Sequence, residues 1–363
     1  MNNHSHKSDQ NVSLQDLGYN QTLENYRIEH DLQAFEVGRV ILEHKDRYVV
    51  KTETGDFDAE IIGNLRYTAQ SRADFPAVGD WVAISEYDEN KVLIRAVLPR
   101  NTVIKRKAVG KHGEEQIIAT NIDFAFIVQA VNRDFNLNRL ERYLAICNDA
   151  RVEPIIVISK IDLISESETK SILDTVQQRV AGITVLAISN ETGQGLDQLK
   201  VQVTAGKTYC VLGSSGVGKS SLINSITGQS LLKTDAISEK IDRGKHVTSH
   251  RELIVLEKGG IVIDTPGMRE VGMTDMSEGL SLTFDRIAEL AASCKFKDCT
   301  HIHEVDCAVR LAVDNGEIDQ AMYDNYLKLI REQAHYSATV AEKRKRDKQL
   351  GKLYKTIQQR KKK

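Results

Sequence analysis

Five short β-type runs ahead of Pro99, a glycine-rich loop set among alternating apolar and helical stretches, and a late cysteine–histidine cluster predict a multidomain protein. The expected parts are an N-terminal β-barrel of the OB type, a permuted α/β domain built around a P-loop, and a C-terminal helical domain that binds zinc. At 363 residues, with 41% hydrophobic side chains and only 4 Pro, the chain is neither disordered nor fibrous. No apolar run reaches the roughly 18 residues a membrane helix needs. The N-terminus lacks a signal-peptide layout, so a cytoplasmic address and no membrane are expected. No heptads argue for a coiled coil, and a monomer is expected.

Residues 1–33 are polar and without period, and read as a flexible N-terminal extension. Residues 34–103 hold the five runs VGRVILEH, DRYVVKTETG, DFDAEIIG, GDWVAISEYD and NKVLIRAVL, rich in Val, Ile and Tyr. A five-stranded OB-fold suits that length, and another small β-domain suits it equally. The linker after Pro99 carries Arg100, Lys105, Arg106, Lys107 and Lys111, either a solvated face or an RNA contact beside the barrel.

Residues 104–275 change texture. Apolar runs buried on both faces (DFAFIVQAV, PIIVISK, ITVLAIS, TYCVLG, GIVIDTPG) alternate with helical stretches, the pattern of a parallel sheet with βαβ crossovers. Tyr209–Leu212 leads into Gly213-x4-Gly218-Lys219-Ser220, and a helical stretch follows from Ser221. That is the P-loop pattern in its strand–loop–helix context. Gly213, Ser214, Ser215, Gly216, Val217, Gly218, Lys219, Ser220 and Ser221 are read as nucleotide-binding. Their amides wrap a β-phosphate, Lys219 neutralises β/γ charge, and the Ser220 hydroxyl is a Mg²⁺ ligand.

Asp264-Thr265-Pro266-Gly267 ends a strand, where the carboxylate can hold Mg²⁺ through water and the Gly267 amide can meet a γ-phosphate. Ser159-Lys160-Ile161-Asp162 ends another. Asp162 can accept both N1–H and the 2-amino group of guanine, whereas adenine offers an acceptor at that edge. Lys160 lies along the base, and the Ser159 hydroxyl can tie this loop to the P-loop. Ser189 and Asn190 belong to a loop whose amides can touch guanine O6. Thr248 is the candidate switch threonine for Mg²⁺ and γ-phosphate, with Thr234 its competitor by spacing. The base-reading loops precede the P-loop, the reverse of ordinary G proteins, so the expected class is a circularly permuted α/β P-loop GTPase domain. A P-loop ATPase is the competing reading, against which Asp162 argues.

Residues 276–340 contain Cys294-x4-Cys299-x-His301-x5-Cys307, three thiolates and an imidazole fit for a closed tetrahedral Zn²⁺ site, with His303 as alternative fourth ligand. Cys147 and Cys210 lie in apolar stretches and read as core. Residues 340–363 hold eleven Lys/Arg against Glu342 and Asp347, a local +9; the chain's net charge is −2, so the remainder is −11. The tail (341–363) therefore reads as an interaction arm.

The permuted order, GSSGVGKSSLIN, DTPG, the CKFKDCTH–C cluster, VGDWV and EEQIIATNID resemble the ribosome small-subunit-dependent GTPase A (RsgA/YjeQ) family across about residues 35–340. The resemblance implies an OB-fold, a permuted G domain and a zinc domain. It also implies GTP hydrolysis to GDP during late maturation of the 30S subunit, with 16S rRNA as partner. It assigns a catalytic histidine to the switch, here His246 in His246-Val247-Thr248-Ser249-His250; two threonines of the family's segment are replaced. Ser159 stands where the family has Asn. Met268 follows DTPG where Ras-like proteins place a water-orienting Gln, so slow turnover is expected without a partner.

Overall fold

The computed structural model describes residues 12–44, 47–107, 115–132, 135–228, 251–257, 259–264 and 276–337. Within them the chain forms two compact units, one drawn from Met1–Lys105 and Ile117–Val271, the other from Arg106–Gln116 and Gly272–Lys363.

The first unit opens with α1 (Gln21–Glu29), and here the expectation of a flexible extension is corrected for residues 12–33. Asn20 caps α1 by accepting from the Leu23 amide. Leu17 and Leu23 are buried in a cluster with Val37, Trp81, Ala83 and Leu98. Burying each leucine contributes about 2 kcal/mol. Arg27 donates to the carbonyls of Leu32, Gln33 and Phe35, which fixes the exit from α1. The apolar residues here follow neither a 2-residue nor a 3.6-residue period, so patterning did not reveal them.

The barrel comprises β1 (Glu36–His44), β2 (Arg47–Lys51), β3 (Asp56–Ile61), the short α2 (Gly63–Thr68), β4 (Trp81–Asp88) and β5 (Lys91–Val97). Pairing runs β1–β2–β3–β5–β4 and returns to β1, with β3–β5 parallel and the other pairs antiparallel. The ring is therefore closed and leaves no edge among these strands. Alternate residues fill it: Tyr48 and Val50, Ala59 and Ile61, Val82 and Ile84, Val92 and Ile94.

The VGDWV segment locks the barrel's lower end. Gly79 has φ +97°, and a Cβ there would lie 2.2 Å from the Thr120 carbonyl oxygen. Asp80, wholly buried, accepts from Arg100 Nε at 2.8 Å and Nη2 at 2.6 Å, from Thr120 Oγ1 at 2.7 Å and from the Ala77 amide. Beside it, buried Arg39 lies over the Trp81 ring and donates to the carbonyls of Leu17, Gly79 and Asn121 and to Thr208 Oγ1. Burial pushes the Arg39 guanidinium down to about 10, against the opposing pull of Asp123 and Asp80. One side chain thus joins the N-terminal segment, the barrel and the start of the P-loop strand.

After the ribbon of β6 (Val103–Lys107) and β7 (Glu115–Thr120) comes the α/β sheet. Its strands are β8 (Phe124–Ala130), β9 (Glu153–Ser159), β10 (Thr184–Ala187), β11 (Thr208–Leu212), β12 (Glu252–Val255) and β13 (Ile261–Asp264). They lie in the order β10–β9–β8–β11–β13–β12, all parallel except the β12–β13 pair. Helices α3 (Leu137–Asp149), α4 (Glu166–Arg179), α5 (Leu196–Gln202) and α6 (Lys219–Thr227) connect or follow these strands. β12 also pairs with β1 through Leu42 and Glu252, so barrel and α/β domain share one continuous 11-stranded sheet.

The second unit holds α7 (Ser277–Thr283), α8 (Asp285–Ala291), α9 (Ala308–Asp314) and α10 (Gln320–Ser337) around the cysteine–histidine loop. Leu280, Phe284, Ile287, Val309, Ala312 and Leu329 are buried, with Phe284 edge-on to Tyr326 at 5.4 Å. Among the described residues no helix is long and apolar enough to cross a membrane.

Candidate functional site

The carboxyl ends of β9, β10, β11 and β13 gather the loops singled out in the sequence. β11 delivers the P-loop. Gly213 has φ +152°, and a Cβ there would lie 2.6 Å from the Val128 carbonyl oxygen, so only glycine lets the loop start this close to β8. Val217 anchors the middle of the loop in the sheet's core. Lys219 folds back and donates to the carbonyls of Gly213 at 2.9 Å and Ser214 at 2.6 Å. Ser220 and Ser221 occupy the first turn of α6, whose unpaired amides and dipole favour an anion.

Ser159, at the end of β9, is wholly buried; its hydroxyl donates to the Val217 carbonyl at 2.7 Å and lies 3.3 Å from that of Gln129. Lys160 follows in the left-handed region at φ +62° and turns the chain into a 3-10 turn that presents Asp162. The Ser189 hydroxyl donates to Asp162 Oδ1 at 2.5 Å while accepting from the amides of Glu191 and Thr192. Asn190 Oδ1 accepts from Ser225 of α6 at 3.0 Å. The loops after β9 and β10 are therefore bonded to each other and to the P-loop and α6. Spacing alone did not show that Ser189 orients the Asp162 carboxylate; the signal available was a serine at the end of the next parallel strand.

Asp264 ends β13 beside β11. Burial raises its carboxyl above the usual carboxylate range, opposed by the Lys219 ammonium, with Glu252 adding to the rise. The oxygen-only set of Ser220 and Asp264 near Lys219 suits a hard cation such as Mg²⁺. His246, Thr248, Thr234, Gly267 and Met268 lie outside the described residues, as do Lys111 and the basic tail.

In the second unit the ligand atoms of Cys294, Cys299, His301 and Cys307 lie within 4.8 Å of one another. The Cys294–Cys307 sulfurs are 3.8 Å apart, and His301 Nδ1 is 3.6 Å from Cys294 Sγ and 3.4 Å from Cys307 Sγ. Zinc bonds of about 2.3 Å to sulfur and 2.0 Å to nitrogen give tetrahedral edges of about 3.8 and 3.5 Å. The donor set fits Zn²⁺ and closes around it. His301 is buried with φ +62°, whereas His303 is exposed and outside the cluster. Glu304, not anticipated from spacing, accepts from the amides of Thr300, Ile302 and His303, and Tyr323 donates to the His301 carbonyl at 2.5 Å. These bonds hold the ligand loop from behind.

A family model described as RsgA GTPase matches residues 97–274, and one described as 50S ribosome-binding GTPase matches residues 208–343. The chain is 46% identical over 301 residues to small ribosomal subunit biogenesis GTPase RsgA 2 of Lactiplantibacillus plantarum, covering 82% of this chain and 84% of that one. It is 39% identical over 351 residues to the protein of the same name from Vibrio vulnificus, covering 97% of each. In structure it resembles YjeQ from Thermotoga maritima (TM-score 0.63, 26% identity, 82% of this chain and 98% of that chain). It also resembles YloQ, a circularly permuted GTPase (TM-score 0.61, 27% identity, 85% of this chain and 99% of that chain). Motif order, strand order and relatives agree, and the chain belongs to the RsgA family of GTPases.

Proposed function

We propose that this GTPase acts in late maturation of the small (30S) ribosomal subunit, binds it through 16S rRNA in the cytoplasm, and hydrolyses GTP to GDP under its stimulation. The observation that carries the nucleotide part is the bonded chain Asp162–Ser189 and Ser159–Val217, which links base-side loops to a phosphate loop 58 residues away. The subunit partner is supported by the relatives' names and by the barrel and the cationic tail, two features suited to phosphate-rich RNA.

In this reading Asp162 accepts N1–H and the 2-amino group of guanine, Lys160 lies along the base, and the amides at Ser189 and Asn190 approach O6. The amides of Gly213 to Gly218 wrap the phosphates and Lys219 leaves its carbonyl partners to neutralise them. Ser220 and Thr248 would ligate Mg²⁺ directly and Asp264 through water; when bound, the cation offsets charge on the β- and γ-phosphate oxygens. The Gly267 amide meets the γ-phosphate. Met268 has no group to orient water, so His246 supplies that function when the particle is bound.

The test is GTP turnover with purified 30S, with 50S and alone, for wild type and His246→Ala. Turnover stimulated by 30S only, and lost in a His246→Ala protein that still binds GTP, is the expected result. Equal turnover in all three conditions overturns the subunit assignment, and unchanged stimulation in the variant overturns the role of His246.

A further inference from the structure

The phosphate loop has a cationic neighbour that no motif predicts. Helix α3 starts under tight control: Gln129 of β8, almost wholly buried, accepts from the Asn136 amide at 2.9 Å and donates to the Asn136 carbonyl at 3.0 Å. Asn136 in turn caps the helix by accepting from the Arg139 amide at 3.1 Å. The first turn of α3 is thus fixed to β8, and β8 is paired in register with the P-loop strand at Phe126–Val211 and Ile127–Leu212. From that fixed turn Arg139 Nη1 donates to Ser214 Oγ at 2.8 Å.

Ser214 is the second residue of the loop. Its side chain is held by Arg139, and its carbonyl accepts from the Lys219 ammonium. One turn along α3, buried Tyr143 also has the Ser214 side chain as a hydrogen-bond partner. The Lys219 ammonium has three donors, two of them on the Gly213 and Ser214 carbonyls. As it turns toward the nucleotide its tie to Ser214 weakens, whereas the bond from Arg139 to Ser214 Oγ does not depend on it. A charge-assisted bond to a hydroxyl is suited to that task, and it brings a second fixed positive charge close to a site that takes a polyanion.

We infer that Arg139 is a positioning residue of the GTPase site, holding the phosphate loop in its anion-ready shape through Ser214 and raising its affinity for the polyphosphate of GTP. This rests on the phosphate-loop reading above. The Ser189–Asp162 hydrogen bond is a separate contact, so base selection should be unaffected.

The experiment measures equilibrium binding of a fluorescent GTP analogue and of unlabelled GTP and ITP by competition, with thermal midpoints, for the full chain and four variants. Arg139→Ala is expected to weaken GTP about tenfold, the worth of one charge-assisted hydrogen bond. Ser214→Ala should weaken it several-fold, and the double variant no further than the worse single one, as for two residues acting through one contact. Arg139→Lys should restore binding to within about threefold of wild type, with the GTP-to-ITP ratio and thermal midpoints unchanged. Binding by Arg139→Ala within about twofold of wild type, additive losses in the double variant, or a loss that tracks a lowered midpoint and resists Lys rescue each overturns the inference. Failure of wild type to bind GTP overturns the phosphate-loop reading instead.

Discussion

Ser159 gives its hydroxyl proton to the carbonyl of Val217, 2.7 Å away and 58 residues further along the chain. Both residues are buried, one ending β9 and the other lying inside the P-loop, so this bond fixes the distance between the loop after β9 and the P-loop. An amide side chain in that position would have two donor hydrogens; a serine has one, and here it is spent on the protein.

Ser159→Ala should therefore damage both loops. The Val217 carbonyl loses a buried donor, which costs about 1–2 kcal/mol. The expected outcome is a lower denaturant midpoint together with weaker GTP binding, read by chemical unfolding and by titration. Unaltered stability in this variant would show that the bond is dispensable.

Breaking the Asp80–Arg100 pair is expected to be harsher. Asp80→Ala removes two acceptors from Arg100, which keeps the carbonyls of Ala73 and Phe75, and one each from Thr120 and the Ala77 amide, in a barrel end where Asp80 has no exposure. The loss should be about 3 kcal/mol, seen as a shifted urea midpoint at constant slope.

Much of this architecture was legible because the barrel strands alternate at period 2 and the sheet strands are continuously apolar. Val82 and Ile84, or Ile155 to Ile158, leave little choice. The metal ligands were legible too, since thiols cluster for few reasons, and His301, already preferred over His303 by spacing, is the histidine found in the cluster. Arg39 was illegible: an arginine in a strand reads as solvent-facing, and only the closed barrel shows its donors meeting three carbonyls and a hydroxyl. Leu17 and Leu23 were missed for a related reason, since their burial depends on Trp81 far along the chain. Arg139 sits on a helix whose apolar face said nothing about the loop it touches.

The cysteine–histidine centre should take up one zinc ion per chain. Chelation, or Cys299→Ser, should lower a thermal transition by at least about 5 °C, since the ion's binding energy is folding energy for the loop. A chain that purifies without metal and gains no stability from added Zn²⁺ would contradict the assignment.

Asp264 predicts a pH signature. Its carboxyl is raised by burial, so the folded state holds the proton more tightly than the unfolded chain, and stability falls as pH rises from the unfolded value of 3.8 through the folded one. Asp264→Asn should therefore unfold at a higher midpoint than wild type at neutral pH and at the same midpoint below 3.8. The same variant should lose Mg²⁺-dependent GTP turnover, a trade of activity for stability. A neutral-pH midpoint below wild type would show that the attraction of the Lys219 ammonium outweighs burial.

The most direct test is to change the base that Asp162 is proposed to read. With Asn at 162, the two acceptors facing N1–H and the 2-amino group become one donor and one acceptor, which matches the N1–H and 2-oxo edge of xanthine. Asp162→Asn should weaken GTP at least about a hundredfold and bind xanthosine triphosphate more tightly than GTP, with the P-loop intact. A variant that keeps wild-type preference for GTP would mean that residues 159–162 do not face the base, and that the shuffled loops do not meet around one nucleotide.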